Sequence, residues 1–151
     1  MKLKTFAAAA AVIAAPAGPA LADPWMALDA NPNILVVIDR GSIQRYGAIR
    51  TAQNLYVLKG RQPVVFTVRY NCDMRTYEEI DQRLVARTLT LGAPIPGKSG
   101  TNSAPPGSLG DSLMVNVCQD KVVNTSAGWT RPDLKGVIDA AIAIGHVPVW
   151  P

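Results

Sequence analysis

Few residues of this chain combine the types and spacing that chemistry requires. His146 is the only histidine, and it follows Gly145 near the end of the sequence. An imidazole moves protons only when a partner orients it and a reacting group lies within reach. No such partner stands beside His146 in sequence. A cation at a helix end is favoured by the helix dipole, so the residue reads as structural. Glu78-Glu79 with Asp81 forms a small acidic cluster, but it lacks the alternating ligands and central glycine of a calcium loop. It reads as a solvated turn. Gly92-Ala93-Pro94-Ile95-Pro96-Gly97-Lys98-Ser99 fits the letters of a phosphate-binding loop. Pro94 and Pro96 remove N–H groups that would cradle phosphate, and no helical pattern follows Ser99, so a nucleotide site is excluded. Asn124-Thr125-Ser126 is a glycosylation sequon by letter only. Arg69, Tyr70, Arg75 and Tyr77 remain, close in sequence to Cys72. Arginine and tyrosine are favoured at binding hot spots, which makes these four the candidate interaction surface. The residues define no catalytic, cofactor-binding or metal site.

The compartment is written at the start of the chain. Met1-Lys2-Leu3-Lys4 is cationic, Phe6 to Ala15 is an apolar run, and Ala20-Leu21-Ala22 is an A-x-A cleavage pattern after Pro16, Gly18 and Pro19. That order predicts a secretory signal peptide over 1–22, cleaved after Ala22. The run is too short to span a bilayer. No cysteine follows the cleavage point to carry a lipid, so the mature chain is expected to be soluble and periplasmic or secreted. It should form one domain, 23–151. The leader carries Lys2 and Lys4 of the 15 basic residues, leaving 13 against 11 acidic, a balance too small for a nucleic-acid footprint. An exported chain with two cysteines has one intramolecular pairing available, Cys72 with Cys118. Closing that loop stabilises the fold by on the order of 4 kcal/mol.

The elements that must position these residues follow from periodicity. Asn33 to Asp39 is a short β-branched run, predicted as a strand buried on both faces, with a turn after Asp39. Ile49 to Lys59 and Val64 to Tyr70 alternate and are joined by the hairpin Gly60-Arg61-Gln62-Pro63. In the second of these, Val64, Phe66, Val68 and Tyr70 share a face. A further strand is predicted over about Arg83 to Leu91, with Val85, Leu89 and Leu91 on one face. Gly92 to Gly110 is rich in Pro, Gly, Ser and Asn and predicts a long mobile loop. From Ser108, a possible N-cap, to Gln119, the pattern fits a helix or an alternating strand. The last segment predicts a helix over 130–144, capped by Thr130, with Leu134, Val137, Ile138, Ala141 and Ile142 on its apolar face and Gly145 ending it. No internal repeat is present.

Trp25, Val37-Ile38-Asp39 with Ser42-Ile43, Arg45 and Gly47, Val68-Arg69-Tyr70-Asn71-Cys72 with Arg75, and Pro106-Gly107-Ser108 ahead of Cys118 occur in this order. Over Trp25 to Cys118 the chain resembles the surface-adhesin protein E-like domain of exported Gram-negative proteins. The resemblance implies an antiparallel sheet with a helix tethered across one face by the disulfide, and it favours helix from Ser108. It also implies an adhesin-like binding protein, with host proteins as ligands, dimerisation and haem as properties of the best-known member. The lipid anchor does not carry over, and the extension over about 119–151 has no counterpart. The fold class expected is α+β: an antiparallel β-sheet of about five or six strands with one or two C-terminal helices packed on a face, and one disulfide. The function expected is an exported, non-enzymatic binding protein of the envelope, taking a protein or glycan ligand. The alternatives are a structural or inhibitory periplasmic protein, or an enzyme with an unrecognised site at His146 and the acidic turn.

Overall fold

A computed structural model describes residues 25–119 and 130–146 of the chain. The expected leader and its cleavage point, the Asn124 sequon and the ends of the C-terminal extension lie outside the described residues. In chain order the elements are β1 (Trp25–Asn31), β2 (Ile34–Tyr46), β3 (Ile49–Leu58), β4 (Val64–Asn71), β5 (Thr76–Leu84), β6 (Ile95–Pro96) and β7 (Asn102–Ser103). Then follow α1 (Leu109–Cys118), β8 (Thr130–Arg131) and α2 (Leu134–Ala143). The strands form one antiparallel sheet in the order β6-β5-β4-β3-β2-β1-β8, with β7 also paired to β5. The class is the expected α+β, with eight strands among the described residues.

The two helices lie on opposite faces of the sheet, not on a shared face. Under α2 lie Leu35, Val37, Leu55, Val57 and Val65, packed against Val137, Ile138 and Ala141. Under α1 lie Val36, Ile38, Ala52, Val68 and Tyr70, packed against Leu113, Met114 and Val117. Successive residues of a strand point to opposite faces, so a strand covered on both sides must be apolar at every position. That is why Leu35 to Ile38 is an unbroken run, and why all four are fully buried. It also explains β1, which periodicity did not reveal: Trp25 to Leu28 is buried throughout and does not alternate. Each large side chain buried this way contributes about 1.5–3 kcal/mol.

Several expected elements sit elsewhere. The turn after Asp39 is an irregularity inside the continuous β2, where pairing with β3 shifts between Asp39 and Gln44. There the Ser42 hydroxyl donates to the Asp39 carbonyl (2.7 Å) and accepts from the Gln53 N–H (2.8 Å). The strand placed at Arg83 to Leu91 is displaced: β5 occupies Thr76–Leu84, and Val85 to Leu91 is a tight turn closed by a single bridge between those two residues. Val85, Leu89 and Leu91 do share the core beneath α2. The displacement has a physical cause. β5 bulges where Val68 pairs Glu79 but Thr67 pairs Asp81, which breaks its alternation at Ile80.

The stretch expected as a mobile loop is instead a strap. β6 and β7 pair end to end with the outer edge of β5, the Gly97 N–H donates to the Ile80 carbonyl (3.0 Å), and Ala104 is buried against α1's core. A Cβ at Gly97 would collide with the Glu79 carbonyl. This backbone faces a strand and offers no cradle for phosphate. From Ser108 the chain is helical: the Ser108 hydroxyl accepts from the Asp111 N–H (3.1 Å) and caps α1. α2 begins later than expected. Asp133, not Thr130, is its cap, accepting from the Gly136 N–H (2.7 Å), because Thr130 and Arg131 are taken up by pairing with β1.

Candidate functional site

Three attachments hold α1 across the sheet. Its last residue, Cys118, is bonded to Cys72 just past β4, with 5.7 Å between the Cα atoms. At the other end Asp111 pairs with the Arg75 guanidinium and accepts from the Gly107 N–H (2.8 Å). That backbone bond, reinforced by Arg75, holds the Asp111 carboxyl below the usual carboxylate range. Between these ends, Leu113, Met114 and Val117 press onto the sheet.

Near its first turn α1 stands off the sheet and leaves a cavity of about 110 Å³. The floor is aromatic. Tyr56 on β3 and Phe66 on β4 meet edge to face, with ring centroids 5.1 Å apart at 75°. Tyr70 on β4 and Tyr77 on β5 are direct cross-strand partners, 6.3 Å apart. Val68 and Glu79, again a cross-strand pair, complete the sheet side. Leu109, Gly110 and Leu113 form the roof. Gly110 lies close over the Tyr77 ring, where a Cβ would stand 3.0 Å from Tyr77 Cε1.

Asn54 Nδ2 donates to the Tyr70 hydroxyl (2.5 Å) within the core. Burial, helped by Tyr77 and Glu79, pushes the Tyr56 phenol far above its ordinary value. Burial first, then Tyr56 and Tyr77, does the same to Tyr70 against the opposing Asn54 hydrogen bond. Both phenols therefore stay protonated at physiological pH and neither serves as a base. Ring faces carry negative quadrupole density, and Glu79 adds a carboxylate. Such a lining can hold an apolar or cationic group.

The four residues of the expected interaction surface are not one patch. Tyr70 is buried to 1% exposure and belongs to the core. It shared a face with Val64, Phe66 and Val68, which is the face that α1 covers. Tyr77 is half-buried against Gly110. Arg69 points to the opposite face, where it pairs with Glu78 (2.5 Å). Arg75 sits in the β4–β5 turn and is engaged with Asp111. Arg69 and Tyr77 do line a shallow hollow of about 250 Å³ with exposed Met74.

The acidic cluster lies in β5, not in a solvated turn. Glu78 is answered by Arg69, and Asp81 by Arg83 (3.3 Å) and the Thr67 hydroxyl (3.2 Å). Among the described residues no group of three His, Cys, Asp or Glu side chains could hold a metal ion. No helix among them is long and apolar enough to cross a membrane. His146 is buried, and its Nε2 lies 2.5 Å from the Asn31 carbonyl oxygen, to which it donates. Its own carbonyl accepts from the Gly60 N–H (3.1 Å), so the residue pins the end of α2 to two turns of the sheet.

A second, open hollow of about 790 Å³ lies on the other face, between the start of α2 and polar residues such as Asp39, Gln44, Gln53 and Thr67. Its polar groups partly satisfy one another, as in the Asp39–Ser42–Gln53 contacts.

Sequence reading did not single out Tyr56, Phe66 or Gly110, and it placed Glu79 only in an acidic turn. One signal was available: the Gly60 to Pro63 hairpin sets the register that places Asn54 opposite Phe66 and Tyr56 beside it. The standing-off of α1 at Gly110 had no such signal. Compared with family models, with curated proteins and with solved structures, the chain matches none of them.

Proposed function

We propose that this chain is an exported, non-enzymatic binding module of the periplasm or cell surface, and that its ligand site is the aromatic pocket beneath α1. The observation that carries the reading is the lining itself: three phenol rings, one phenyl ring and one carboxylate around about 110 Å³, roofed in part by a glycine. Pockets that orient a ligand are mainly apolar and aromatic with a few placed polar groups. The protein E-like resemblance supports the same direction, since it implies an adhesin-like binder with a helix tied over the sheet.

The test is Gly110→Leu. Its Cβ would stand 3.0 Å from Tyr77 Cε1, so the side chain takes up pocket space only as Tyr77 gives way, and the melting temperature of the unliganded variant reports whether the fold survives. A small-molecule screen followed by thermal shift should find ligands that stabilise the native oxidised chain and fail to stabilise Gly110→Leu. Ligands that stabilise both equally, or none that stabilise either, would remove the pocket from this role.

A further inference from the structure

We propose that the pocket beneath α1 takes the methylated ammonium head of a small organic cation, with Glu79 as its counter-ion. The inference rests on the pocket being the binding site proposed above, and it names the ligand class.

Size comes first. At about 30 Å³ for each water-sized group, a cavity of about 110 Å³ holds on the order of four such groups. That matches the four carbons around a quaternary nitrogen. Ring geometry comes second. Tyr56 and Phe66 meet edge to face, so their faces do not stack on each other and are not both spent within the protein. Tyr77 presents its ring beneath Gly110. A cation within about 6 Å of such ring centroids is attracted by the ring quadrupole, most strongly where water is excluded.

Charge comes third and is independent of the rings. Of the three acids of β5, Glu78 has Arg69 and Asp81 has Arg83. Glu79 meets no Lys or Arg among the described residues, and it is the one that lines the pocket. Glu79 is therefore the carboxylate left to face a cation among these rings. The degree of methylation follows from hydrogen bonding. A primary ammonium brings three N–H donors that must be satisfied. A fully methylated one brings none, which suits a lining of ring faces, Val68, Leu109 and Leu113.

Two sources share this chemistry, a free solute and a phosphocholine lipid headgroup. The test titrates the oxidised protein with choline chloride and with choline's neutral carbon isostere, in which carbon replaces the nitrogen. Sodium chloride serves as the salt control, and binding is read by calorimetry and by the ring proton shifts of tyrosine. Choline should saturate and bind about tenfold or more tighter than the isostere. Glu79→Gln should weaken choline about tenfold and leave the isostere unchanged, with an unchanged melting temperature showing that the fold is intact. Co-flotation with phosphatidylcholine vesicles but not phosphatidylglycerol vesicles assigns the headgroup source. Choline binding without co-flotation assigns the free solute. Equal binding of choline and isostere, lost together in Gly110→Leu, would overturn the cation assignment while the binding-module reading stands. Binding of neither, with another ligand found by the screen above, would overturn it as well. Binding of neither with an empty screen removes both.

Discussion

Asp111 shows how one side chain can carry an element. It receives the Gly107 N–H, pairs with Arg75, and its own N–H reaches the Ser108 hydroxyl. The folded chain therefore holds this carboxyl ionised to lower pH than the unfolded chain, where an aspartate titrates at about 3.9. Its stabilisation is complete above that value and is lost as pH falls through the lowered folded value. Melting temperatures of the native chain and of Asp111→Asn should differ by a constant gap near neutrality, and the gap should close on acidification. His146 carries the opposite lesson. Reading it as structural required only its isolation in sequence, whereas its two partners, Asn31 and Gly60, are distant in sequence and were not legible. His146→Ala should cost about 1–3 kcal/mol in urea unfolding and leave pocket binding unchanged. A turnover that vanished in this variant at unchanged stability would instead favour an enzyme. Tyr70 lies inside the core and not on an open surface, and its own strand announced it. Every second residue from Val64 to Tyr70 is apolar or aromatic, and a face so composed is a covered face.

At the level of elements, legibility followed how evenly a strand is covered. β3 and β4 alternate and were placed within a residue or so, and the α2 stripe was read at the right positions. β1 failed because burial on both faces erases alternation, and β5 failed because its bulge shifts the pattern halfway along. The strap failed for a third reason. Pro, Gly, Ser and Asn describe a backbone with little of its own to bury, and composition cannot say that a neighbouring strand will supply the pairing. Gly97 is the sensitive point of that pairing, since the Glu79 carbonyl occupies the place of a Cβ. Gly97→Ala should destabilise the chain by about 1–3 kcal/mol and speed proteolysis between residues 92 and 107, checked by urea titration and limited digestion.

For the molecule as a whole, the disulfide joins the end of a central strand to the end of α1, so it closes both the β5 hairpin and the strap into one loop. The two cysteines are 46 residues apart. Replacing both by alanine should cost about 4 kcal/mol by loop entropy, seen as a lower urea midpoint that matches the native chain under reductant. The α+β class and the disulfide were legible because hydrophobic runs mark the elements and two cysteines allow one intramolecular pairing. The three-layer order was not, because nothing local tells a helix which face to cover. The strap and β8 have a further consequence. They occupy the two outer margins of the sheet with pairs of residues too short to recruit another chain. Fibril growth by strand addition at these places would meet a two-residue strand first. The short segments that finish the sheet thus also blunt its margins against the pairing of one copy with the next.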